Sequence, residues 1–102
     1  MPSYTLSLDA ESDLRSIAQY TLKRWGRSQL NKYRLELKQH FESIAAGSVR
    51  SRLYSDSLPQ VYISKVGSHF VFHLASDQKV PIIIGVIHEK RDIVTHLNAR
   101  LG

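Results

Sequence analysis

The chain contains no cysteine. That absence excludes disulfides and thiolate metal sites, and it leaves redox compartment unreadable from the residues. No apolar run approaches the ~18 residues of a membrane span, so no membrane-spanning segment is expected. The opening MPSYTLSLDAESD has neither a basic stretch nor a long apolar core. It therefore does not read as a secretory signal, and a cytoplasmic protein is expected. There is no glycine-rich phosphate loop and no serine in a nucleophile-elbow setting. Five histidines are present, yet His69 and His73, on one face of a strand, would stand ~13 Å apart along it. No His, Asp and Glu grouping has the spacing of a metal site, so neither a metal nor another cofactor is expected.

Acidic charge is also scarce. Lysine and arginine number 14 against 9 acids, a formal net charge of +5. The imbalance is local: Thr21–Arg52 holds eight basic residues and only two acids, Glu36 and Glu42. A one-sided positive field favours anionic partners such as nucleic acid, a membrane surface or an acidic protein segment, or it is simply a solvated helix surface. At 102 residues the chain is expected to form a single domain, 1–102. Such a chain buries about 65% of its unfolded surface, enough for one modest core.

Asp13–Tyr33 organises the rest. Leu14, Ile17, Ala18, Thr21, Leu22 and Trp25 fall on one stripe of a helix with a buried face. That stripe predicts Trp25 as a core residue and leaves Tyr20 off its centre, free for a partner. Gly26 ends the helix. A second stripe at Leu30, Tyr33, Leu37, Phe41 and Ile44 predicts an antiparallel helical hairpin. Its outer faces carry Arg15, Lys23, Arg24, Arg27, Lys32, Arg34 and Lys38.

Before the hairpin, Tyr4–Leu8 alternates as a strand does, and Ser7 or Asp9 supplies a helix cap. After it, Gly47–Pro59 reads as a long irregular segment. Val61–Val66, His69–Ala75 and Val80–His88 read as strands, with turns at Gly67–Ser68 and Ser76–Lys79. The apolar run Ile82–Ile87 suits a strand covered on both faces. Asp92 caps a short final helix, Ile93–Leu101. The expectation is a two-layer α+β domain: an N-terminal strand, a helical hairpin on an antiparallel sheet, and a short C-terminal helix. Val61–Val66 is expected at a sheet edge.

In this order, the first helix with Asp13, Leu14, Ile17, Tyr20 and Thr21, its end at Arg24, Trp25 and Gly26, the strand with His69, Val71 and Phe72, and the step from His88 to Asp92 resemble the ParE branch of the RelE/ParE toxin superfamily. These are small toxins of bacterial type II toxin–antitoxin systems. The resemblance spans most of the chain. His73 stands where the family usually has tyrosine, and AGSVRSR at Ala46–Arg52 replaces the usual link after the second helix.

The resemblance implies a ParD-like antitoxin that wraps a tail around the toxin, giving a toxin–antitoxin hetero-oligomer. It also implies a target, DNA gyrase with DNA in its cleavage complex, and a toxin that binds without being an enzyme. Target contacts are expected from Lys23, Arg24, Arg27, Lys90 and Arg91, and antitoxin contacts from Tyr20, Arg34, Lys38, Val61 and Ile63. RelE-branch relatives cut mRNA on the ribosome, which makes a ribosome-dependent endonuclease the alternative. Here His88, Lys65 and Arg91 would do the acid–base and phosphate work. Against it, Ile82–Gly102 holds no tyrosine, and His88 also reads as a strand-end residue that orients the turn before Asp92. A third possibility is an inactive relative that serves only to bind antitoxin.

Overall fold

Ser7 turns the chain from strand to helix after two residues. In the computed structural model, which describes residues 3–75 and 80–101, β1 is Thr5–Leu6 and α1 is Leu8–Trp25. The Ser7 hydroxyl accepts from the Ala10 N–H at 3.1 Å, a helix N-cap bond. Gly26 then takes φ +89° with an extended ψ of 177°, a backbone that glycine tolerates and side chains do not. It makes a corner rather than a left-handed helix end, and α2 (Arg27–Ala45) starts at once.

The serine-rich segment after α2 is not irregular throughout. Its second half forms β2 (Arg52–Ser55), and a tight turn leads into β3 (Leu58–Val66). Leu53 pairs with Tyr62 and Ser55 with Leu58. The strand is only four residues long and lies among serines, so its two apolar residues, Leu53 and Tyr54, show no readable alternation in the sequence. β4 (His69–Leu74), β5 (Ile82–His88) and α3 (Ile93–Leu101) complete the chain. The turn expected at Ser76–Lys79 lies outside the described residues. Asp92 caps α3 by accepting from the Thr95 N–H at 3.2 Å and the Thr95 hydroxyl at 2.8 Å.

The sheet order is β1-β5-β4-β3-β2. β2 to β5 are antiparallel, whereas β1 lies parallel to β5, so the sheet is mixed. This placement corrects one expectation: β3 is flanked on both sides and is not an edge. Val61 and Ile63 are buried, at 3% and 8% exposure. The open edges belong to β2 and to the part of β5 beyond Ile83, where β1 stops.

The two faces of the sheet hold separate cores. Ala10, Leu37, Phe41 and Ile44 of the hairpin pack on Val71, Ile83 and Val86. On the opposite face Leu97 of α3 packs with Val61, Ile63, Phe72, Ile84 and Ile87. Ile83 and Val86 share a face although they are three residues apart. The reason is a bulge: Phe72 pairs with Gly85 and His73 with Ile83, leaving Ile84 as the extra residue. The bulge shifts the alternation by one, which is why Ile82–Ile87 must be apolar without a break. Among the described residues no helix is long and apolar enough to cross a membrane.

A basic, aromatic cleft along β5

Where β1 ends, β5 presents unpaired backbone groups, and two side chains satisfy them. Asp13 of α1 accepts from the Val86 N–H at 2.9 Å. Arg100 of α3 donates to the Ile84 carbonyl at 3.0 Å. The two side chains also join each other through paired bonds of 2.8 Å, Nη1 to Oδ2 and Nη2 to Oδ1. The hydrogen bond to Asp13 raises the Arg100 pKa further. A β-carbon on Gly85 would lie 2.7 Å from Arg100 Nη1, so glycine at the bulge makes room for the guanidinium. Asp13 thus ties α1, β5 and α3 together.

This clamp forms one wall of a cleft of about 700 Å³ between α1, α3 and the end of β5. Near it the Tyr33 hydroxyl lies 2.6 Å from His69 Nδ1 and 3.2 Å from the Val66 carbonyl. The His69 ring meets the His88 ring edge to face, with centroids 5.2 Å apart. Burial, with Glu36 adding to it, pushes the Tyr33 pKa up to about 12. Burial and the neighbouring His88 lower that of His69. Tyr33 is thus held protonated and His69 neutral at pH 7. Chain order hid this cluster: Tyr33 sits on the apolar stripe of α2, 36 residues before His69. The cross-strand pairing of His69 with His88 was the only readable signal, through the hairpin that joins their strands.

The rim overturns the reading of Trp25 as core. Trp25 and Tyr20 are each 64% exposed, and Leu22 is 46% exposed. The buried stripe of α1 runs through Ala10, Leu14, Ile17 and Thr21. Thr21 is its last buried residue, so the final turn of α1 overhangs the core. Trp25 and Tyr20 line the cleft together with Lys90 and Arg91. The Arg24 guanidinium lies over the indole, 5.6 Å from its centroid, at cation–π range.

The structure separates the other candidate residues. Lys23 and Arg27 are exposed at the hairpin corner beside Arg24. Arg34 and Lys38 line a second groove, of about 490 Å³, between α1 and α2, so they do not meet Tyr20. Val61 and Ile63 are in the core. Of the endonuclease set, His88 and Arg91 line the cleft. Lys65 instead bridges Glu89 at 2.7 Å. His88 Nδ1 accepts from the Lys90 N–H at 3.1 Å, and its carbonyl accepts from the Arg91 N–H at 2.9 Å. It therefore does orient the turn before Asp92. Among the described residues no group of three His, Cys, Asp or Glu is placed to hold a metal ion.

The fold, a helical hairpin on one face of a five-stranded mixed sheet with a C-terminal helix on the other, is similar to that of a solved chain. A chain of the "Chromosomal ParDE TA system from P. aeruginosa" matches 84% of this chain and 96% of its own length, with a TM-score of 0.66 and 15% identity. Residues 4–93 match the family described as the ParE toxin of the type II toxin–antitoxin system, parDE. A "Toxin ParE" of Escherichia coli is 33% identical over 101 residues, covering 99% of this chain and 98% of the relative. A "Toxin ParE1" of Mycobacterium tuberculosis is 28% identical over 94 residues, covering 92% and 96%. The chain belongs to the ParE family of type II toxins.

Proposed function

We propose that this chain is the toxin of a type II pair that poisons DNA gyrase in the cytoplasm and blocks replication, and that a ParD-like antitoxin silences it in a hetero-oligomer. The observation that carries this reading is the ParE family match over residues 4–93. Gyrase is the target that the resemblance to the ParE branch implies. In this reading the chain works by grasping the enzyme and trapping its cleaved-DNA complex. The exposed cations Lys23, Arg24 and Arg27 at the hairpin corner and Lys90 and Arg91 at the cleft rim supply attraction to an anionic surface. Arg34, Lys38 and Tyr20 remain the candidate antitoxin contacts.

The test is controlled expression in a bacterium. SOS induction with filamentation is the expected outcome. Rapid arrest of protein synthesis with cut mRNA would overturn the target, and unimpaired growth would leave only antitoxin binding.

One observation favours the endonuclease as a second reading. The tyrosine missing from Ile82–Gly102 is supplied by α2, since Tyr33 meets His69 beside His88. If that cluster cut RNA, His69→Ala and His88→Ala would each abolish toxicity while the protein stayed folded. Under the gyrase reading both variants remain toxic.

A further inference from the structure

The cleft combines two features that no charge count explains. Its rim bears two exposed aromatic rings, Trp25 and Tyr20. Beside them stand Lys90 and Arg91, both exposed. The carboxylate that lines the cleft, Asp13, is already engaged by Arg100, and nearby Glu89 is engaged by Lys65. Among the described residues neither Lys90 nor Arg91 makes an ion pair, although Glu89 and Asp92 flank them in sequence. Exposed aromatics beside unpaired cations are the chemistry of single-strand recognition: bases stack on rings while the backbone follows the cations.

We infer that this cleft binds a short stretch of single-stranded DNA, with a base stacked on Trp25 and adjacent phosphates held by Lys90 and Arg91. The choice of DNA over RNA rests on the gyrase reading; the choice of nucleic acid rests on the rim. A duplex fits less well, because its bases are already stacked on each other and hidden from the indole. Arg24 contributes by lying over the indole, where it adds positive charge next to the stacked base.

The chain has one tryptophan, so its fluorescence reports the surroundings of Trp25. Purified full-length protein is titrated with oligothymidylate, with the same length of oligouridylate, with a duplex, and with an acidic peptide containing apolar residues. The expected result is saturable quenching by oligothymidylate, weaker with duplex and peptide. Binding of labelled oligothymidylate, followed by anisotropy, weakens about 10-fold or more in Trp25→Ala, because one stacked base is lost. Lys90→Ala and Arg91→Ala each reduce the slope of log affinity against log salt by about 0.7, the share of one phosphate on a single strand. All three residues are exposed, so these variants keep the core intact.

The inference is overturned by an absence of saturable quenching, by tighter binding or cutting of the oligouridylate, or by quenching from the acidic peptide with none from oligothymidylate. Gyrase inhibition without DNA binding removes this site and leaves the target standing. DNA binding without gyrase inhibition does the reverse.

Discussion

Arg100 and Asp13 hold each other through two bonds of 2.8 Å, with only 15% and 16% of their side chains exposed. The pair joins the last helix to the first and closes the part of β5 that β1 leaves open. Removing one partner leaves a largely buried charge alone and strips a hydrogen bond from a β5 backbone group. Arg100→Ala or Asp13→Ala is expected to lower unfolding free energy by about 2–4 kcal/mol. Urea denaturation followed by circular dichroism measures this. A loss near zero would show that the clamp is ornamental.

Gly85→Ala tests the same clamp from the side of the bulge. The added carbon would sit 2.7 Å from Arg100 Nη1, so the guanidinium must move. The expected cost is about 1–3 kcal/mol. In an Arg100→Ala background the cost should nearly vanish, because the colliding group is gone. A double-mutant cycle gives the coupling, and strict additivity would contradict this account.

Stability should fall in mild acid. His69, His73 and His40 all have lowered pKa values, with burial the main cause in each. His88 reinforces it at His69, where Asp13 and Glu89 oppose, and His40 reinforces it at His73. As pH drops through the unfolded value near ~6.5, the unfolded chain takes up protons before the folded one does, so folding weakens. Above that value the contributions are equal in the two states and stability is full. The urea midpoint should be lower at about pH 5 than at about pH 7.5. His73 is buried, and its Nδ1 has no hydrogen-bond partner among the described residues. His73→Phe is therefore expected to keep the fold and flatten the pH dependence.

Lys65→Ala should change neither stability nor toxicity measurably. Its bridge to Glu89 is short, at 2.7 Å, but the lysine side chain is 51% exposed, and exposed pairs contribute little. Loss of toxicity in this variant would revive the endonuclease set of His88, Lys65 and Arg91.

Much of this fold could be read from local pattern. Asp92 and the stripe that follows it mark α3 from Ile93 to Leu101, as observed. The corner at Gly26 and the two-sided burial of Ile82–Ile87 were equally plain. Failures came where an element's fate depends on what lies beside it. Trp25 continues the apolar stripe of α1, but the core ends at Thr21 and leaves it outside. β2 is a four-residue strand set among serines, so it resembled a loop; its pairing takes β3 off the edge, and packing on the α3 face buries Val61 and Ile63. At the cleft, His88, Lys90, Arg91 and Tyr20 were visible as chemistry. Their union with Tyr33, His69 and Arg100 was not, because those residues arrive from α2, β4 and α3 through tertiary packing.

The most direct test of the central claim is a supercoiling and cleavage assay with purified gyrase and this protein. The account predicts that supercoiling stops, that cleaved DNA accumulates, and that adding the ParD-like antitoxin prevents both. Undisturbed supercoiling alongside mRNA cut on translating ribosomes would contradict it.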